Sequence, residues 1–426
     1  MFLVQMLTCI MLFLEIILLV CSLYAIVMAM FSFRVEKKVK SNSIRHRFAI
    51  LVAARNEAAV IGCLIDSLLQ QNYPRTLFDV IVIPNNCTDQ TRIVAQKSGA
   101  MIMDCPIRVQ SKGDVLNYAF AEICRSSKAY DAICVFDADN LVHPDFLLEM
   151  NHSIGSGAQV AQCYRDSKNP FDTPVSGSSA IYFWLLIRFF NRARSSTGLS
   201  AGISGSGFMI RTDLIRKMNG VNTVTITEDL ELSVLCCLAG EKIFWVPRAI
   251  IYDEQPLTFD QSWHQRMRWT SGMYQINTLY WKKLLVKTVK ERSMQSFDLF
   301  FLCMTAHMHV FSFVVMMILG FLTLLRYLDG HIELSAIGIS LFASILITLI
   351  ACTGVAIITV RLEKKEVLRF WKGILSFWFY MLTWLPINII CLFKKTTSWK
   401  AINHSRIISL ADLTIKTDTL EQISTD

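Results

Sequence analysis

Charge is scarce in this chain. Of its 426 residues only 18% are Asp, Glu, Lys or Arg, while 53% are apolar. That balance is too greasy for an ordinary soluble protein. No Cys-x-x-Cys occurs, and the 13 cysteines are odd in number and scattered, with Cys236 and Cys237 adjacent. This excludes a disulfide framework and zinc-ligand spacing; the thiols are expected to be reduced, cytosolic core fillers. No basic run with interleaved aromatics dominates the polar part, so nucleic acid is not an expected partner. No small-residue cleavage site follows the first apolar stretch, which is also too long for a signal-peptide core.

The apolar residues are segregated. The stretches 1–31, 297–325, 334–360 and 374–393 are each close to uniformly apolar. A bilayer core takes roughly 20 such residues in a helix. The stretch between them has ordinary soluble patterning. The expected organisation is an N-terminal transmembrane helix over 1–33, a catalytic-size domain over 41–270, interfacial amphipathic helices over 271–296, transmembrane helices over 297–393 and a tail over 394–426. Arg34, Lys37, Lys38, Lys40, Arg45 and Arg47 crowd after the first stretch. Basic residues favour the cytoplasmic side, which puts the central domain in the cytoplasm of a multi-pass plasma-membrane protein. The net charge of +8 fits this excess. The tail conflicts with simple counting. Three later spans would leave it outside, yet Lys394, Lys395, Lys400 and Arg406 want it inside. One apolar segment is therefore expected to lie in the interface or to re-enter.

The central stretch alternates strand and helix. Apolar runs at "FAILVAA", "FDVIVIP", "GAMIMDC" and "DAICVFD" are each followed by a polar turn, and helical spacing follows the first three. Continuous apolar strands between helices imply a mostly parallel sheet covered on both faces. Such sheets bind ligands at the carboxyl ends of their strands. Arg55-Asn56-Glu57, Asn85-Asn86-Cys87 and Asp137-Ala138-Asp139 lie at those ends.

Asp137 and Asp139 stand two apart at a strand end, so their carboxylates can share a hard cation. An Asx turn before Pro144 is the plainer reading. Glu228 and Asp229 open a helix in "TITEDLELS". They are either a capping arrangement after Thr227 or the place of a general base. Gly202, Gly205 and Gly207 in "GISGSG" mark a turn or a close backbone approach to a ligand. "QSWHQRMRWTSG", residues 261–272, concentrates cations and flat rings. Taken alone it reads as a basic amphipathic helix at a membrane surface.

In this order the pieces resemble the membrane-bound, polymer-forming branch of the family-2 glycosyltransferases, which includes cellulose, hyaluronan and poly-N-acetylglucosamine synthases. The residues that carry the resemblance are "AARNE", "NNCTD", "SKGDVLNYAF", "DAD", "SGSG", "TED" and Gln265-x-x-Arg268-Trp269. It implies an α/β catalytic domain with a GT-A-like, mostly parallel sheet, joined to α-helical transmembrane segments. It implies a UDP-sugar donor, a divalent cation (Mg²⁺ or Mn²⁺) and inverting displacement. Glu57, Asn85, Lys112, Asp137, Asp139 and Arg268 are then donor-binding, with Asp139 on the metal. Asp229 is the base that deprotonates the acceptor, with Glu228 beside it in the catalytic pair. Gly205, Gln265 and Trp269 meet the acceptor. Many relatives place an acid where Asn85 stands; an amide still pairs with a uracil edge. The implied activity is processive extension of a polysaccharide, with secretion through the protein's own helices. The alternative is a single sugar added to a lipid, as ceramide glucosyltransferase does. A non-catalytic scaffold is disfavoured by the intact motifs. Glucose and N-acetylglucosamine are the expected sugars. The partners expected are the donor, a growing glycan or lipid acceptor and membrane lipids. No accessory secretion protein is named by the sequence. By the same resemblance the tail over 394–426, with Trp399, His404 and Arg406, is either a gating segment that closes over the bound donor or a basic anchor at lipid head groups.

Overall fold

The computed structural model describes residues 2–34, 42–394 and 407–412. The first apolar stretch is helix α1 (Phe2–Met30). The alternating stretch follows as β1 (Phe48–Ala54), α2 (Ile61–Leu69), β2 (Phe78–Pro84), α3 (Thr91–Lys97), β3 (Met101–Ile102), α4 (Lys112–Arg125) and β4 (Ala132–Asp137). β1 pairs in parallel with β2 and β4, and β2 pairs in parallel with β3. The strands are apolar throughout because both faces are covered. Phe48, Ile50 and Val52 pack with Ile61, Leu64 and Ile65 of α2, while Ala49 and Leu51 pack with Val115 and Ala119 of α4.

The chain continues through β5 (Leu141–Val142), α5 (Phe146–Gly155), β6 (Val160–Ser167), α6 (Pro174–Leu186), α7 (Ala193–Thr197), β7 (Phe208–Arg211), α8 (Thr212–Lys217), α9 (Glu228–Leu238) and β8 (Ile243–Asp253). The eight strands form one sheet in the order β3-β2-β1-β4-β7-β6-β8-β5. β7 is antiparallel to both of its neighbours. This reversal has no signal in the apolar pattern, because a short strand of either direction reads alike. "GAMIMDC" contributes only the two residues of β3, at a sheet edge where Met101 is exposed.

The remaining helices are α10 (Phe259–Glu291), α11 (Met294–Leu328), α12 (Leu334–Leu362), α13 (Trp371–Leu382) and α14 (Trp384–Phe393). Four stretches are long and apolar enough to cross a membrane: Gln5–Phe33, Met294–Leu328, Leu334–Leu362 and Val367–Phe393. α1 runs antiparallel to α11. Met11 packs on Val315 and Leu322, and Tyr24 donates to Asp298 at 2.7 Å. Arg194 of α7 completes a buried triad, donating to both oxygens of Asp298 at 2.6 and 3.0 Å. α12 leaves the short loop after α11 and packs on α13 and α6 instead of along α11. Its carboxyl end is clipped to β6: Tyr164 donates to Glu363 at 2.6 Å, and Lys365 donates to Asp166 at 2.8 Å.

The last apolar stretch is not a free span. Ile374, Phe377 and Tyr380 belong to the core that also holds Ala180 and Trp184 of α6. Trp371, Leu375 and Phe379 are exposed on its other side. The helix breaks between α13 and α14, and Pro386 withholds a backbone donor in the first turn of α14. In the tail, Ile408 is buried; burial raises the pKa of Cys63 in α2, and Asp412 adds a small further push. Lys395, Trp399, Lys400, His404 and Arg406 lie outside the described residues.

α13 crosses α6 at a glycine pair. A Cβ on Gly373 would lie 2.8 Å from the carbonyl carbon of Gly177. That neighbour is backbone and has little room to shift. Gly373→Val is therefore expected to destabilise the protein by about 1–3 kcal/mol, read as a lower thermal midpoint in detergent. An unchanged midpoint would show that α13 is not held at this crossing.

Candidate active site

β4 lies between β1 and β7, and its carboxyl end carries Asp137. The turn after it is fixed from within: the Asp137 N–H donates to Asn140 Oδ1 at 3.2 Å and to Ser206 Oγ at 3.0 Å. This holds the Asp137–Asn140 turn against the glycine turn before β7. Gly205 adopts φ +79° there, and a Cβ on it would lie 3.5 Å from Asp229 Oδ2 and 4.0 Å from Asp137 Oδ2. Glycine is favoured there by the positive φ, while the two carboxylates lie at ordinary contact distance.

Lys112 joins these parts. It opens α4, capped by Ser111 in a capping box with Asp114. Its ammonium donates to Asp137 Oδ1 at 2.5 Å and to the Gly205 carbonyl at 2.7 Å, and lies 3.6 Å from Glu228 Oε1. Burial pulls its pKa down, but Asp137 and Glu228 more than reverse this, leaving it above the ordinary lysine value. Burial pushes Glu228 and Asp229 the other way, above the usual carboxylate range, with Lys112 and Arg268 opposing. Thr227 does not cap α9 with its side chain; its hydroxyl is buried without a partner among the described residues.

Residues 261–272 occupy the first half of α10, capped by Thr258 with Gln261. Their two arginines part company. Arg268 faces the site, together with Gln265 and Trp269. Arg266 is fully buried on another side of the helix and donates to the Tyr380 carbonyl at 2.9 Å and to Thr383 Oγ1 at 2.7 Å, where α13 gives way to α14. Trp269 stacks near-parallel to Trp384 and meets Phe183 edge-on.

The eleven residues to which the resemblance assigns a donor, metal, acceptor or catalytic role line one cavity of about 960 Å³: Glu57, Asn85, Lys112, Asp137, Asp139, Gly205, Glu228, Asp229, Gln265, Arg268 and Trp269; Gly202 and Gly207 are not in its lining. The Asn85 amide nitrogen donates to the carbonyls of Ala54 at 3.1 Å and Ile83 at 3.4 Å. Two carbonyl partners fix which way the amide is turned and leave Oδ1 as its acceptor.

Several partners were not legible in the sequence. Arg165 of β6 donates to the Ser204 carbonyl at 2.8 Å and forms an ion pair with Asp253 at the end of β8. Burial pushes Asp253 up to about 6, with Arg165 opposing and Asp139 and Asp137 adding to it. Three carboxylates thus lie within electrostatic reach of one another. Glu231 is fully buried two residues beyond Asp229. It accepts from the backbone N–H of Val224 at 2.8 Å and Thr225 at 2.7 Å, and from the Tyr280 hydroxyl at 2.6 Å. Gln275 accepts from the next backbone donor of that loop, Ile226, at 3.1 Å. The loop wall of the cavity is therefore hung from α9 and α10. The only local hint was an acid spaced along "TEDLELS" with no exposed face to serve.

The cavity thus joins acids at the strand ends of a parallel-centred sheet, a lysine that bridges two of its acids and an arginine–tryptophan pair on α10. Residues 46–272 match the model of the glycosyltransferase-like family 2, so the chain belongs to that family and is a glycosyltransferase. A probable glycosyltransferase of Bacillus subtilis, YdaM, is 27% identical over 82% of this chain and 83% of its own length. The beta-monoglucosyldiacylglycerol synthase of a Nostoc species is 29% identical over 60% of this chain and about half of its own length (55%). The poly-beta-1,6-N-acetyl-D-glucosamine synthase of Staphylococcus epidermidis is 23% identical over 89% of this chain and 92% of its own length. Among solved structures, the mannosyltransferase of Pyrobaculum calidifontis, in complex with GDP-Man and Mn²⁺, shares the GT-A-like fold. It aligns with a TM-score of 0.61 and 16% identity over 92% of this chain and 100% of its own.

Glu231→Ala leaves two loop N–H groups and the Tyr280 hydroxyl without their acceptor. It is expected to cost about 1–3 kcal/mol and to speed amide exchange at 221–227 while α4 stays protected. Unchanged exchange in that loop would remove Glu231 from this role.

Proposed function

We propose that this protein is a membrane-embedded, inverting glycosyltransferase that uses a UDP-sugar and works on the cytoplasmic side of the plasma membrane. One observation carries the reading: Asp137, Asp139, Glu228, Asp229, Gln265, Arg268 and Trp269 meet around Gly205 in a single cavity. Asp229 is the base. It is buried, faces the glycine turn and accepts only its neighbour's N–H, from Leu230 at 2.8 Å, among its hydrogen bonds in the described residues. Its raised pKa suits a group that must take the acceptor hydroxyl's proton. Lys112 and Arg268 meet the diphosphate as the bond to the sugar breaks. Trp269 gives the sugar a flat apolar face. Glu57 and Asn85 lie at the nucleotide end. Asn85 Oδ1 accepts from a uracil N–H as a carboxylate oxygen would.

The donor set suits a divalent cation. Asp137 and Asp139 offer hard oxygens beside Asp253, and positive charge relieves their mutual repulsion. Among the described residues no group of three or more His, Cys, Asp or Glu encloses an ion. Asp139, with Asp137, would hold Mg²⁺ or Mn²⁺ and leave its remaining positions to the donor. The bound ion would neutralise diphosphate charge as the leaving group departs.

The packing of α13 supports this reading of sidedness. With its apolar outer face exposed and its inner face docked on α6, this helix lies in the membrane interface and does not cross it. α1, α11 and α12 then make three crossings. The tail returns to the side of the catalytic domain, where Asp412 acts on Cys63, and its basic residues agree.

The acceptor is a growing glycan or a lipid, and relatives of both kinds exist. Glucose and N-acetylglucosamine are the first sugars expected on the donor. The test is purified protein in nanodiscs against a panel of UDP-sugars and GDP-mannose, read by nucleotide release and product mass. UDP release from no donor sinks the reading. Asp229→Asn is expected to keep donor affinity and lose about 10²–10⁴-fold in turnover. The wild-type kcat/KM is expected to fall on acidification, through a pKa above the ordinary aspartate value, because the base must be ionised. Near-normal turnover in the variant excludes Asp229 as the base. Excess chelator is expected to abolish transfer and either ion to restore it; full activity in chelator removes the metal.

A further inference from the structure

The cavity does not end at the catalytic residues. Beyond Trp269 it runs along α11, lined by Leu302, Thr305, Ala306, His309, Phe313 and Met316. Their spacing places them on one face of that helix. From Leu302 to Met316 the groove covers about 20 Å at 1.5 Å per residue, a large part of a ~30 Å hydrocarbon core. The opposite wall is Met381, Leu382, Trp384 and Leu385. α12, which would close the third side, packs on α6 and α13 instead. His309, Ser312 and Met316 are exposed in consequence.

Charge changes along the cavity. Every arginine and lysine that lines it, namely Arg55, Lys112, Arg165 and Arg268, belongs to its donor end. Beyond Trp269, toward α11 and α14, the polar groups are neutral: Thr270 donates to Asn388 Oδ1 at 3.3 Å, and the Asn388 amide meets His309 Nδ1 at 3.1 Å. The cations within reach of the reacting end, Lys112 and Arg268, serve the donor diphosphate, so a phosphate head group would have to compete for them.

We infer that this groove is the acceptor site of a neutral lipid alcohol, which enters sideways from the bilayer between α11 and α12. Its acyl chain lies along Ala306, Phe313 and Met316. Its hydroxyl reaches past Trp269 to Asp229. The inference rests on the proposed function and narrows its acceptor to a lipid that receives one sugar. The Asp229 carboxylate takes the hydroxyl proton, the lipid oxygen forms the new bond to the anomeric carbon, and the bond from that carbon to UDP breaks.

The test uses the full chain in phosphatidylcholine nanodiscs with the UDP-sugar that the panel selects. The acceptors are 1,2-dioleoylglycerol, 1,2-dihexanoylglycerol and a polyprenyl phosphate. Dioleoylglycerol is expected to receive a single sugar, with kcat/KM at least about ten-fold above the short-chain form, because a chain in the groove buries many methylenes. Polyprenyl phosphate is expected to receive none. Ser312→Trp and, as a second variant, Met316→Trp fill exposed positions of the groove. Each is expected to lower kcat/KM for dioleoylglycerol by about ten-fold and to erase most of the chain-length preference. A ladder of glycan products, equal use of both chain lengths by the wild type, or preference for polyprenyl phosphate overturns the lipid groove and leaves UDP-sugar transfer standing. Failure to release UDP from any donor brings down both.

Discussion

One ammonium group ties the catalytic end of this protein together. Lys112 holds the carboxylate at the end of β4 and the carbonyl of the glycine turn, and it lies within ion-pair distance of the first acid of α9. A lysine in the first turn of a helix opposes the helix dipole, and burying it adds a desolvation cost. It is stable there because two acids surround it, and those acids are in turn too crowded to be buried without it. The local rule is broken where three remote segments must converge. What results is a set of charges held in place by the fold itself.

The same economy governs α10. Gln265, Arg268 and Trp269 fall at i, i+3 and i+4 and so share a face. Arg266 and Thr270 fall at i and i+4 on another. The first face builds the site, and the second grips the break between α13 and α14. A cluster that looked like one basic, aromatic surface is two functions divided by helical phase. It also means that the cavity wall at Arg268 and the contact with α13 and α14 are parts of one helix.

The first half of the sheet was legible because apolar runs of strand length, set between helical patterns, fit little besides a covered parallel sheet. The residues that share the cavity were named through a family resemblance, and that resemblance rests on local motifs: acids at strand ends and the Gln265–Trp269 spacing. What was hidden depended on pairings between distant segments. Arg165 and Asp253 meet only because β6 and β8 are neighbours. Glu231 looks like one more acid on a helix until Tyr280 and the loop before α9 close over it. The antiparallel entry of β7 follows from the glycine turn, where φ is positive at Gly205 and Gly207; composition does not report direction. The last apolar stretch had the length of a span, and length cannot show that one side of it is taken by α6.

The contacts between the membrane helices and the sheet are of a kind that confers position more than stability. Arg194, Asp298 and Tyr24 are buried together, and Glu363 meets Tyr164 and Arg188 at the end of α12. Buried ion pairs often gain little over apolar residues of the same volume, yet losing one partner is costly. Such pairs therefore select one arrangement among those that grease alone would permit. Leucine against leucine would let α11 and α12 slide together and close the space between them. Tied to α7 and β6 respectively, they are held apart at the sheet. These pairs lie outside the cavity that Trp269 lines, and they fix where α11 and α12 meet the rest of the fold.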